Sequence, residues 1–81
     1  MKLMIGSVVR ARAGRDEDKF FAVTAFDDRY CFIADGKSRK LSKPKRKNLK
    51  HICLTDSVID DINDITDKKL RTLMKEFSAK E

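Results

Sequence analysis

The chain has no tryptophan, one proline, three glycines, two cysteines and one histidine in 81 residues. With so little proline and glycine there is no low-complexity linker, and the length allows one domain at most. Two thiols, Cys31 and Cys53, make no disulfide framework, and neither has a second cysteine at ligand spacing. Both read as small buried hydrophobes in a reducing compartment. The single histidine, His51, has no partner that would complete a metal site or activate a nucleophile. No apolar run approaches a membrane span. The opening Met1-Lys2-Leu3-Met4-Ile5-Gly6 has no apolar core of signal-peptide length. The expectation is a cytoplasmic monomer with no membrane contact, no cofactor, no metal ligands and no catalytic residues, which leaves an enzyme as the least supported class.

Acid is also missing, and where it is missing matters. Between Lys37 and Lys50, fourteen residues carry eight positive charges and no carboxylate: Lys37, Arg39, Lys40, Lys43, Lys45, Arg46, Lys47 and Lys50. Net charge is +6, but the balance is uneven. Residues 1–54 hold fourteen Lys/Arg against six acids, whereas residues 55–81 hold five against seven. Self-repulsion in such a run opposes folding, and a polyanion compensates it through counterion release. Three readings are open: a phosphate-binding surface, a targeting signal within Lys43-Pro44-Lys45-Arg46-Lys47, and a solvated or protein-facing stretch. The lack of interleaved acids favours the first. Lysines then supply affinity and register, and Arg39 and Arg46 suit bidentate or stacked contacts. His51 reads as a local hydrogen-bonding residue or a further phosphate contact.

The organisation is that of short strands followed by helix. Residues 8–13 alternate, Phe20–Phe26 and Tyr30–Ala34 are β-prone, and turn clusters separate them. Asp35-Gly36 is a strong hairpin signal, predicting a return strand near residues 38–42 that Pro44 ends or confines to an edge. A last strand is expected over residues 50–54. Such spacing predicts a mainly β domain, a small barrel or sandwich. Asp56 and Ser57 can cap a helical turn through Ile62. Thr66 or Asp67 can cap a helix carrying Leu70, Leu73, Met74 and Phe77 at i, i+3, i+4 and i+7. That stripe either packs on the strands or docks a protein partner. The aspartates at 56, 60, 61, 64 and 67 lack the glycine and terminal glutamate of a calcium loop, so they read as caps and solubilising charge. The same acidic stretch could lie against the basic loop when no polyanion is bound there.

In order along the chain, Gly6-Ser7-Val8-Val9, Ala13-Gly14-Arg15-Asp16, the strand Phe20–Phe26, Asp35-Gly36, the basic return strand and Leu49-Lys50-His51-Ile52 resemble the KOW family. The likeness covers about two-thirds of the chain and is similar to KOW proteins of the large ribosomal subunit and small stand-alone bacterial relatives. It implies an SH3-like barrel of about five strands over residues 1–54 that binds RNA, typically ribosomal RNA, with residues 55–81 as a helical appendage. Asp18 departs from the pattern, standing where many KOW motifs have glycine, and Asp16-Glu17-Asp18 makes the first loop acidic. Residues 55–81 lie outside the motif.

Within that frame, Gly14 suits a tight turn needing positive φ. Arg15 beside it either contacts phosphate or pairs with Asp16, Asp18 or another nearby acid. RNA is favoured over duplex DNA because no long basic helix is available for a major groove. Base stacking would call on Phe20, Tyr30 or Phe32, which so small a core is expected to bury. The RNA-contact set is therefore Arg15, Lys37, Arg39, Lys40, Lys43, Lys45, Arg46, Lys47, Lys50 and His51. The competing class is a protein-interaction module meeting a ribosomal, transcription or assembly factor.

Overall fold

The computed structural model describes residues 2–12, 14 and 17–80. The expected contact Arg15, with Ala13 and Asp16, lies outside the described residues. Five strands, β1 (Ser7–Ala11), β2 (Phe20–Phe26), β3 (Tyr30–Ala34), β4 (Lys45–Asn48) and β5 (Ile52–Val58), form one antiparallel sheet in the order β4-β3-β2-β1-β5. One helix, α1 (Asp67–Lys80), follows. No described helix is long and apolar enough to cross a membrane.

The two edge strands are consecutive in sequence, joined only by the 3-10 turn Leu49–His51. The four steps from Asn48 to Ile52 reach about 14 Å at most. The edges of a flat five-stranded sheet would stand about 19 Å apart. The sheet therefore curls until its edges approach at this end. Among the described residues no ladder joins β4 to β5, so the closed barrel expected from the family likeness is not formed. The return segment spends its first part on the helix: Gly36 and Leu41 lie against α1, and β4 is only four residues long.

Alternation along the strands builds two cores. Val9, Ala11, Phe21, Val23, Cys31 and Ile33 pack with Leu3, Leu49, Ile52 and Leu54. This cluster unites β3 and β5, three strand spacings apart in the sheet, and so fills the inside of the curl. Val8, Phe20, Ala22 and Ala34 face the other way and meet Ile59, Ile62, Leu70 and Met74. The outer face is thus covered by α1 and the segment that leads into it.

Thr66 starts α1 by accepting the Lys69 N–H at its hydroxyl (3.2 Å) and the Leu70 N–H at its carbonyl (2.9 Å). Asp67 in the first turn suits the helix dipole. Leu70 is fully buried and Met74 nearly so, with Leu73 and Phe77 partly covered. Phe77 stacks on Phe20 with ring centroids 6.3 Å apart. Burying one such aliphatic side chain stabilises by about 1.5–3 kcal/mol. The apolar stripe is therefore engaged by the molecule's own sheet.

Two local expectations are corrected. The return strand lies at Lys45–Asn48, not at residues 38–42. The Asp35 carboxylate accepts the Lys37 N–H (2.9 Å), the Arg39 N–H (2.8 Å) and the Ser38 hydroxyl (3.1 Å), turning a tight hairpin into a wider loop. Gly36, at φ +78, lies against the α1 backbone, and the Leu41 N–H donates to the Asp67 carboxylate (2.7 Å). An acid of the C-terminal third does lie against the basic loop, through its backbone. Residues 55–58 are strand rather than a capped helical turn. Ser7 pairs with Val58, and the Thr55 hydroxyl donates to the Val8 carbonyl (2.8 Å).

Candidate nucleic-acid interface

The β2–β3 connection sets the geometry of the exposed sheet face. Asp27 accepts the Arg29 N–H (2.8 Å) and the Tyr30 N–H (2.7 Å), closing the turn with one carboxylate oxygen. These bonds, that from Tyr30 foremost, hold its carboxyl below the ordinary value of 3.8. The β2–β3 register then shifts between Val23 and Ala25, a bulge that sets Ala25 opposite Phe32. On its other side Phe32 faces Arg46 of β4. A small neighbour on one side and a flexible cation on the other leave Phe32 37% exposed.

Tyr30, Phe32 and Ala34 share a face because side chains alternate along a strand. Ala34 is fully buried in the cluster under α1, and the same face continues past the helix through Phe32 and Tyr30. There the Arg46 guanidinium lies over the Tyr30 ring, 4.6 Å from its centroid. This diagonal contact fits the register that pairs Tyr30 with Asn48. The result is an aromatic surface bordered by an exposed arginine.

The basic run divides into two parts. Lys37, Arg39, Lys40 and Lys43 ride on the loop anchored to α1, with Lys37, Lys40 and Lys43 exposed and Arg39 half-buried. Lys45, Arg46 and Lys47 form the edge strand, and Lys50 and His51 the 3-10 turn. Arg46, Lys50 and His51 are exposed, and Lys45 is half-buried. Lys47 departs from expectation: only 8% exposed, it pairs with Cys31 on the inner face, its Nζ beside Gly14. Period-two alternation takes it inward while Arg46 turns outward. Lys47 is part of the core lining and not of the exposed surface.

The turn itself is held firmly. Asn48 caps it by accepting the Lys50 N–H (2.9 Å), the Leu49 N–H donates to the Arg29 carbonyl (3.0 Å), and the Arg12 N–H donates to the His51 carbonyl (2.7 Å). That last bond brings exposed Arg12 to the turn, a cation outside the expected set. The aromatic expectations also change. Phe20 is buried as foreseen, whereas Phe32 and the unforeseen Phe26 are exposed, at 37% and 40%. Alternation could have found Phe32, since the residue between buried Cys31 and Ile33 must point the other way. Phe26 depends on the bulge, which the sequence does not mark.

Burial pushes the Cys31 thiol up to about 11, against a smaller opposing pull from Lys47. A thiol so shifted is a packing group, not a nucleophile. No cluster of His, Cys, Asp or Glu able to hold a metal ion occurs among the described residues. What the arrangement offers chemically is stacking on Phe32 and Tyr30, a bidentate or stacked donor in Arg46, and point charges around them. Comparison of the chain with protein-family models and with curated proteins finds no match to either.

Proposed function

We propose that the protein is a non-enzymatic RNA-binding domain of KOW type, SH3-like in its fold. It contacts ribosomal RNA as a ribosomal component or ribosome-associated factor in the cytoplasm. The observation that carries this reading is the Tyr30–Phe32–Arg46 surface set among the exposed cations of an acid-free run. Aromatic faces take unstacked bases, and the surrounding lysines take phosphates; single-stranded and irregular RNA presents both.

Two further features support the family likeness. The curled five-stranded sheet, its edges joined by a 3-10 turn, is what an SH3-like barrel becomes when one seam stays unpaired. Asp18, where many KOW motifs have glycine, has a left-handed backbone at φ 68, the conformation a glycine would supply. Crosslinking in cells followed by sequencing of the bound RNA tests the proposal. Enrichment of ribosomal RNA is expected, and recovery of no RNA above background would exclude it.

One observation favours a protein-facing reading. Among the described residues no strand pairs with the outer side of β5, and Val58, Met4 and Ile5 near its end are 39%, 50% and 41% exposed. A partner strand could pair there. Binding at that edge would depend little on salt, which separates it from RNA binding.

A further inference from the structure

We infer that the groove between α1 and the start of β2 is a second RNA subsite, holding one nucleotide with its phosphate on Lys19, Lys37, Arg71 and Lys75. This rests on the RNA-binding reading above and adds to it a place where the strand continues. The groove measures about 420 Å³, within the roughly 300–1,000 Å³ of small-ligand pockets. Its floor is apolar, formed by Phe20 and Met74, and among the described residues four cations and the hydroxyls of Thr72 and Ser78 line it.

The cations are not neighbours in sequence. Lys19 precedes β2, Lys37 begins the basic loop, and Arg71 and Lys75 lie one turn apart on α1. Folding brings them together, although like charges at i, i+4 oppose the helix that carries them. An anion in the groove removes that repulsion. Among the described residues the one acid lining it, Asp35, is already engaged by the Lys37 and Arg39 N–H groups and the Ser38 hydroxyl.

A nucleotide fits this chemistry better than an acidic side chain. The apolar floor offers a surface to a base, and the rim offers charge to its phosphate. Lys37 is at once a wall of the groove and the first cation of the acid-free run, so a strand along the run enters the groove directly. The Thr72 hydroxyl donates to the Lys68 carbonyl (3.1 Å), leaving its oxygen to accept from a sugar hydroxyl. Residues 55–81, net acidic as a sequence, thereby contribute a basic wall.

The test uses the full chain and a ten-nucleotide single-stranded RNA of mixed sequence. Arg71→Gln with Lys75→Gln removes two groove charges, and Lys68→Gln with Lys69→Gln removes two from another part of α1. Far-UV circular dichroism checks that each variant folds. If both groove cations meet phosphate, the first pair lowers the salt slope by about 1.4 and weakens binding about tenfold at 0.1 M salt, while the second has little effect. Equal losses in both pairs would overturn the subsite in favour of a general field. No loss in the groove pair, alongside a loss in Lys45→Gln with Arg46→Gln, would overturn it and leave the sheet surface as the RNA site.

Adenosine 5′-monophosphate, followed by amide shifts at Lys19, Lys37, Thr72 and Lys75, separates the two claims. Shifts there without any RNA binding would retain a nucleotide site and remove the RNA reading. No shifts and no RNA binding would overturn both. Equal shifts with a glutamate-rich peptide of matched charge would overturn nucleotide recognition.

Discussion

Substituting Gly36 with alanine tests the link between the basic loop and the helix. At φ +78 an alanine costs about 1–2 kcal/mol in backbone strain. Its Cβ would also overlap the Asp67 carbonyl oxygen and stand 2.9 Å from the Arg71 nitrogen, both of them helix backbone. Relief requires loop and helix to separate, which breaks the 2.7 Å bond from the Leu41 N–H to the Asp67 carboxylate. A hydrogen bond to a charged group is worth about 1.5–3 kcal/mol, so the total is about 2.5–5 kcal/mol. A domain this size has roughly 4–12 kcal/mol of net stability, so the loss should lower Tm by at least about 10 °C. Thermal unfolding followed by circular dichroism measures it. Gly14→Ala is the control: it bears similar strain at φ +82, but among the described residues its Cβ meets only the side-chain end of Lys47, at 3.4 Å, and no helix backbone. It should cost no more than about 2 kcal/mol. Equal Tm losses for the two variants, or a loss under about 4 °C for Gly36→Ala, would refute the docking of the loop on α1.

Three further outcomes are expected. Phe32→Ala and Arg46→Ala should each weaken single-stranded RNA binding by about tenfold, with Tm within about 3 °C of the parent, as base–aromatic stacking is worth about 1–3 kcal/mol; unchanged affinity would remove the sheet surface from the site. Cys53, half-buried, should react with a thiol reagent at pH 8 well before Cys31, whose pKa of about 11 leaves roughly one thiol in a thousand ionised. Because that pKa is raised from 9.0 by folding, its contribution to stability is complete below pH 9 and is lost as pH rises towards 11; equal labelling of the two thiols in the native state would contradict this. Asp27 should titrate by carboxyl NMR with a midpoint below 3.8, and its contribution, present above that value, should fade as pH falls through the lower folded one.

Much of the fold is legible because local pattern and tertiary structure agree. Phe20–Phe26 and Tyr30–Ala34 are strands as their β-branched and aromatic content predicts, and α1 begins at Asp67, capped by Thr66. The failures share one cause, contacts between residues distant in sequence. Asp35-Gly36 looks like a hairpin until Asp67, 26 residues beyond Leu41, pulls the loop onto the helix. Asp56 and Ser57 look like helix caps until pairing with β1 draws them into β5. The charge run was legible as a run, but its composition does not say which lysine turns inward. Register with Cys31 decides that for Lys47. Composition also hides the basic wall of α1, since Arg71 and Lys75 lie within an acidic third and face one groove only after folding.

The proposed RNA surface of Tyr30, Phe32, Arg46 and the surrounding cations takes phosphates as well as bases. Its most direct test is the salt dependence of the full chain's affinity for a ribosomal RNA fragment. With about six phosphates contacted, the logarithm of the binding constant should fall against the logarithm of salt with a slope of roughly −4. A slope near zero would contradict the account.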